Sequence, residues 1–124
     1  ERMRKPTTKD RINLRVWRYD GVIQIENLVG YMQYPIAIHR SIHEHQEILD
    51  KQRKRHSSRW HVTHVPTGKS FGIQTGDWDL AFGYVKEIVD HPVLLMITDD
   101  TMSGHPMYHD LIEKHQQARR KWNV

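Results

Sequence analysis

The sequence predicts a single small α+β domain. Its antiparallel or mixed sheet would contain two β-hairpins and one further strand, packed by about three helices. Turn signals separate β-rich runs at Asp20-Gly21 and again over 66–69. Apolar residues then recur every three or four positions over 78–90, which is the spacing of an amphipathic helix. The chain has 124 residues, a length that suits one domain.

The first hairpin is expected over residues 12–28, with Asp20-Gly21 at the centre of its turn. This register pairs Trp17 with Gln24 and Arg15 with Glu26. Because side chains alternate across a strand, one face is expected to be core and the other outward. The core face would carry Leu14, Val16, Ile23 and Ile25, and the outward face Arg15, Trp17, Tyr19, Gln24 and Glu26. Residues 1–11 are predicted to be a flexible basic arm, which leaves 12–124 as the domain.

The middle of the chain contains weaker signals. Residues 30–35 are interpreted as a connection and 36–38 as a short strand. Ser41 and Glu44 match a capping box, which predicts a helix over about 42–55.

The second half has the stronger folding signals. A hairpin is expected from strands 60–65 and 70–74, and Asp77 is expected to cap the helix that follows. The apolar run 93–97 is interpreted as a central strand, and a last helix should begin at Pro106. The predicted core comprises Leu14, Val16, Ile23, Ile25, Val62, Phe71, Ile73, Phe82, Val85, Ile88, Val89, Leu94 and Leu111.

Composition excludes several classes of protein. The chain has no cysteine, so disulfides, thiolate metal sites and thiol nucleophiles are excluded. No apolar run approaches the roughly 20 residues of a membrane-spanning helix. The charged start, 1–5, has no hydrophobic stretch behind it, so no signal peptide is predicted. These features together predict a cytoplasmic protein.

The charge is polarised along the chain. Residues 1–60 contain 13 Lys and Arg against 7 Asp and Glu, a net charge of +6. Residues 61–124 contain 6 Lys and Arg against 8 Asp and Glu, a net charge of −2. Such a distribution favours either nucleic acid or an acidic protein surface as a partner.

Histidine spacing suggests two metal sites, neither of which is favoured. The two candidate sets are His39, His43 and Glu47, and His105, His109 and Glu113. Ser41 would cap a helix that leaves His39 outside it, and Pro106 would leave His105 at a helix start. No catalytic motif is found, and 68–70 lacks the upstream glycine of a phosphate loop. We therefore predict no catalytic residue, metal or cofactor, with a metal-dependent hydrolase or nuclease as the alternative.

Basic and aromatic residues could form a binding surface. The candidates are Arg15, Trp17, Tyr19, Lys51, Arg53, Lys54, Arg55 and Arg59. Basic side chains contact phosphates and exposed aromatic rings stack on bases, which would suit nucleic acid. Tryptophan, tyrosine and arginine also anchor protein–protein contacts. The alternatives are a solvated charged face, an Arg15–Glu26 pair and aromatic rings covered by a helix.

The segment Trp60-His61-Val62-Thr63-His64-Val65-Pro66-Thr67-Gly68, followed by the helix from Trp78, resembles part of small phage-encoded accessory proteins. Some of those inhibit host enzymes or host defence, and the resemblance implies no catalytic residue. It implies a phage or mobile-element protein that binds a host macromolecule. We therefore predict a non-catalytic binding protein with a protein partner, and nucleic acid as the alternative. The last helix, which ends near Trp122, could also support a homodimer.

Overall fold

The computed structural model describes residues 5–7, 9–18, 21–40, 59–97 and 104–124. The strands are β1 (Arg11–Arg18), β2 (Gly21–Gln33), β3 (Ile36–Arg40), β4 (Trp60–His64) and β5 (Ser70–Thr75). The helices are α1 (Trp78–Ile88), α2 (Pro92–Met96) and α3 (Tyr108–Trp122). The five strands form one antiparallel sheet in the order β1-β2-β3-β4-β5. The predicted α+β fold class is confirmed.

The first hairpin has a different register from the predicted one. Arg18 pairs with Gly21, which puts Trp17 opposite Val22 and Arg15 opposite Gln24. Gly21 therefore begins β2 instead of occupying the centre of the turn. The pairing differs from the expected one by two residues, so the side chains of residues 14–17 and 23–25 keep their predicted faces.

Strand β2 contains a β-bulge near Asn27 and pairs with both of its neighbours. The register shifts between the Leu14–Ile25 and Ile12–Leu28 pairs, where β2 contains an extra residue. Asn27 has a φ of 57°, in the left-handed region that asparagine tolerates. The strand then continues to Gln33 and pairs with β3. The interpretation of residues 30–35 as a connection was therefore wrong, because only Tyr34-Pro35, joined by a cis peptide bond, separates the two strands.

Strand β3 is buried on both faces. Ile36 and Ile38 lie in the core cluster that the helices cover. Ala37 lies in a second cluster, together with Leu14, Val16 and Leu28 of the first hairpin. The first hairpin thus packs against the face of β3 that is opposite the helices.

Helix α1 begins where the sequence predicted. The carboxylate of Asp77 accepts a hydrogen bond of 2.9 Å from the backbone N–H of Asp79. The helix packs on β4, β5 and α3 through a core that includes Trp60, Ile73 and Tyr84. Helix α3 begins at Tyr108, two residues beyond the predicted proline.

The predicted strand 93–97 was wrong, because this segment is the short helix α2. Pro92 occupies its first turn, and Nδ1 of His91 accepts a hydrogen bond of 3.2 Å from the N–H of Val93. Nε2 of His91 donates to the carboxylate of Asp110 over 2.8 Å, which fixes this helix to α3. The helix buries Val93 and Leu94 and exposes Leu95 and Met96, and Ile97 at its end is buried.

Most of the predicted core is confirmed. The buried members are Leu14, Val16, Val62, Ile73, Val85, Ile88, Leu94 and Leu111. Partly buried members that pack against the clusters are Ile25, Phe71, Phe82 and Val89. The prediction that Ile23 belongs to the core was wrong, since this side chain is 39% exposed near the end of the hairpin. The predicted helix 42–55 lies outside the described residues, and no described helix is long and apolar enough to cross a membrane.

Candidate functional site

An exposed aromatic residue stands on the outer face of the first hairpin. Trp17 is 46% exposed, and its cross-strand partner Val22 is 48% exposed. Arg15 and Gln24 form the next pair on the same face, and both are exposed. We call the four residues Arg15, Trp17, Val22 and Gln24 the hairpin face.

The backbone of the hairpin face is held on both edges of β1. One edge pairs with β2, and on the other the N–H of Trp17 donates to the carbonyl of Gly68 over 2.8 Å. The ammonium of Lys69 lies 5.0 Å from the centre of the Trp17 ring, within the range of a cation–π contact. The indole is therefore exposed but positioned.

The structure brings together only part of the predicted site. Arg15 and Trp17 share the hairpin face, whereas exposed Arg59 precedes β4 and lies at the opposite end of that strand from Gly68. The five residues of β4 separate these ends by roughly 16 Å at the usual rise per strand residue. Arg15 lies opposite Gln24, so the expected cross-strand pair with Glu26 was wrong. Five predicted site residues lie outside the described part of the chain: Tyr19, Lys51, Arg53, Lys54 and Arg55.

Two residues of this surface were missed by sequence reasoning. Val22 was assigned a different partner because the predicted turn was centred one residue too late, which shifts each cross-strand partner by two residues. Lys69 was considered only as the end of a phosphate-loop pattern. Its contact with Trp17 joins two hairpins that are distant in sequence, and no local pattern predicts it.

A cavity of about 210 Å³ lies beside the turn that joins β4 and β5, and it is bounded by β5 and α3. The residues that line it are His64, Thr67, Lys69, Ser70, Phe71, Tyr108, Leu111, Ile112 and His115. A concave, largely apolar pocket with a few polar groups is the usual form of a ligand site. Sequence reasoning missed this cavity too, because its two walls come from separate parts of the chain.

His64 supports the wall of this cavity. Its Nε2 donates to the carbonyl of Leu94 over 2.7 Å, so Nδ1 is the atom that accepts from the hydroxyl of Thr67 at 2.8 Å. Burial lowers the pKa of His64. Both ring nitrogens are therefore committed to holding the β4–β5 turn and α2 in place.

His115 presents a different arrangement. Its Nδ1 is hydrogen-bonded to the hydroxyl of Tyr84, which is buried within α1. Burial raises the pKa of Tyr84, so the tyrosine keeps its proton and its hydroxyl donates a hydrogen bond to the imidazole. Burial, and then the nearby charge of Arg119, lower the pKa of His115. The neutral ring thus accepts at Nδ1 and has its own proton on Nε2.

Among the candidate metal ligands that the structure describes, His39 is the most deeply buried. Its Nδ1 donates to the carbonyl of Arg40 over 2.8 Å, and its Nε2 accepts from the hydroxyl of Thr63 at 2.7 Å. Burial lowers the pKa of His39 to about 4. Both nitrogens are used within the fold, which leaves neither for a metal ion.

The remaining metal candidates are separated or lie outside the described residues. His105 accepts a hydrogen bond from the N–H of Met107 through Nδ1, at 3.1 Å. His109 and Glu113 are exposed on α3, and His43 and Glu47 are not described. Within the described ranges, no three His, Asp or Glu side chains converge as metal ligands.

The hairpin face and the cavity adjoin each other at Lys69, which contacts Trp17 and also lines the cavity. No protein-family model, no curated protein and no solved structure matches the chain.

Proposed function

We propose that this chain is a non-catalytic binding protein that contacts a partner protein through its hairpin face. The observation that supports this proposal is the exposure of Trp17 on a backbone that is held at both edges. Tryptophan and arginine are the residues that most often dominate the binding energy of protein interfaces. A side chain that is already positioned loses less conformational entropy when it is buried by a partner.

The chemistry of the hairpin face defines the partner surface that would fit it. Trp17 and Val22 form an apolar centre, and Arg15 and Lys69 place positive charge beside it. A complementary surface would offer an apolar pocket with carboxylates at its rim. The resemblance of residues 60–90 to phage accessory proteins supports a host enzyme or defence protein as the source of that surface.

The test combines capture of the partner with a matched pair of variants. Purified partner, identified by affinity capture from host cells, is titrated against wild type, Trp17→Ala and Met96→Ala by calorimetry. Met96 is an exposed apolar residue on α2, away from the hairpin face. We expect Trp17→Ala to weaken binding about 30-fold, the effect of an anchor residue of about 2 kcal/mol, with Met96→Ala unchanged. Equal loss of affinity in both variants, or in neither, would contradict the proposal.

Nucleic acid is the second candidate, and the contact between Lys69 and Trp17 favours it. An aromatic ring beside positive side chains can stack on a base while the charges contact phosphates. Fluorescence anisotropy with a labelled single strand would detect such binding at about 50 mM salt and show it weaken steeply by about 200 mM salt. If no binding occurs at the lower salt concentration, this second function is excluded.

A further inference from the structure

A cluster of aromatic rings forms one wall of the cavity, with Phe71 of β5 at its centre. The ring of Phe71 lies 6.3 Å from the ring of His64 and 6.2 Å from the ring of Tyr84, edge to face in both cases. It also lies 6.4 Å from the ring of His115, at an interplanar angle of 35°. These separations and angles are those of favourable ring pairs. Phe71 is therefore held in place by three neighbouring rings, and it lines the cavity together with His64 and His115.

The facing wall is aliphatic. Leu111 and Ile112 of α3 line the cavity from this side. Leu111 is buried in the same core cluster against which Phe71 packs, and Ile112 is half-buried. An apolar ring placed between the two walls would contact carbon atoms on both of its sides, which is the usual environment of a ring in a ligand pocket.

The polar groups at the β4–β5 turn already have partners within the fold. Both ring nitrogens of His64 are hydrogen-bonded, to Thr67 and to the carbonyl of Leu94. The hydroxyl of Thr67 donates to His64 and also accepts from the N–H of Lys69 at 3.2 Å. The ammonium of Lys69 lies over the ring of Trp17, on the hairpin face. None of these groups needs a ligand in the cavity to satisfy it.

The same holds for two further polar side chains of the lining. Nδ1 of His115 accepts from the hydroxyl of Tyr84. The hydroxyl oxygen of Ser70 accepts from the N–H of Gly72 at 2.9 Å. A charged ligand would lose its hydration in the cavity and gain no ion pair there, whereas a neutral apolar ligand has little hydration to lose. The lining therefore favours a neutral ligand.

The volume of the cavity sets the size of the ligand. An apolar cavity of about 150 Å³ in another protein accommodates benzene. The present cavity of about 210 Å³ therefore has room for one six-membered ring and about three further heavy atoms. A ring with a single small substituent has this size.

We propose that this cavity binds a small neutral aromatic molecule. The ring of the ligand joins the cluster around Phe71 and contacts Leu111 and Ile112 on its other side. This site goes beyond the proposed protein interface, because neither Trp17 nor Val22 lines the cavity. Binding of a partner through the hairpin face and binding of a ring in the cavity can therefore be tested independently.

The first test compares three probes that share a ring and differ in charge. Toluene, benzoate and benzylamine are titrated into the ¹⁵N-labelled full chain, and backbone amide shifts are followed at Ser70, Phe71 and Leu111. We expect saturable shifts with toluene and at least about tenfold weaker binding of both ions, because the lining offers no partner for a buried charge. The absence of saturable shifts with toluene, or equal or tighter binding of either ion, overturns the proposal.

The second test removes the central ring of the aromatic wall. Phe71→Leu keeps an apolar side chain but loses the ring, so toluene should bind about threefold or more weakly. Phe82→Leu is the matched control, because Phe82 is also half-buried and stacks on an aromatic ring, 6.0 Å from that of Trp78, but does not line the cavity. An unchanged affinity in Phe71→Leu, or an equal loss in the control, contradicts the assignment.

A variant that fills the space tests where the ring lies. Ile112→Trp should abolish toluene binding, with the amide spectrum of β1 and β2 used to verify that the fold is retained. If that spectrum is lost, Ile112→Ala replaces it and should weaken toluene binding about threefold, because it removes contacts from the aliphatic wall. Wild-type affinity in the folded variant would place toluene elsewhere and overturn the proposal.

Discussion

The backbone N–H of Trp17 donates to the carbonyl of Gly68 over 2.8 Å, and this bond joins the edge of the first hairpin to the turn of the second. A β-carbon at position 68 would lie 2.9 Å from the carbonyl oxygen of Arg15 and 3.0 Å from the nitrogen of Trp17. Both neighbours are backbone atoms, which can yield only if the strand moves. The close approach of the two hairpins therefore requires glycine at this position.

Gly68→Ala and Gly72→Ala form a matched pair that measures this close approach. Both glycines have positive φ, 76° and 78°, so either substitution should cost about 1 kcal/mol of conformational strain. A β-carbon at Gly72 would have no atom within 4 Å, whereas one at Gly68 would collide with β1. We expect urea unfolding to show a loss of about 1 kcal/mol for Gly72→Ala and about 3 kcal/mol for Gly68→Ala. Equal losses would mean that the contact with β1 contributes nothing to stability.

Local signals in the sequence predicted the elements that depend on neighbouring residues. Asp77 has an N-cap side chain followed by a strong helical repeat, and the structure has both the cap and the helix. The alternation of β1 likewise placed Arg15 and Trp17 on one outward face. These features depend on the two- and 3.6-residue periods of the backbone, which the sequence displays directly.

Other features depend on contacts between distant residues, and these could not be predicted. The run 93–97 is uniformly apolar, so it lacks a period that would separate a buried strand from a buried helix. Its helical state depends on Pro92 and on the cap from His91. The cavity and the Tyr84–His115 hydrogen bond join segments that only the fold brings together, so no spacing in the sequence indicates them.

The substitution Gly83→Ala should change the sign of its effect when Trp122 is also replaced. A β-carbon at Gly83, in the middle of α1, would overlap the indole of Trp122 at the end of α3. Without such an overlap, alanine inside a helix is more stabilising than glycine by about 1 kcal/mol. We expect Gly83→Ala to destabilise the wild-type protein by about 1–2 kcal/mol and to stabilise the Trp122→Ala background by up to about 1 kcal/mol. Thermal unfolding of the four proteins gives the coupling energy, and additive effects would show that the two helices do not meet at this contact.

Protonation of His39 should make the protein less stable in acid. Burial lowers the pKa of this imidazole from 6.5 to about 4, so between these values the unfolded chain binds a proton that the folded chain does not. The free energy of unfolding is then highest above about pH 6.5 and falls as the pH decreases toward about 4, by roughly 3 kcal/mol from this group. Burial also lowers the pKa values of His61, His64 and His115, and their contributions have the same sign. In urea titrations from about pH 7 to about pH 4, His39→Gln should reduce the pH dependence of the free energy of unfolding. If His39→Gln keeps the pH dependence of the wild-type protein, then folding does not lower the pKa of His39.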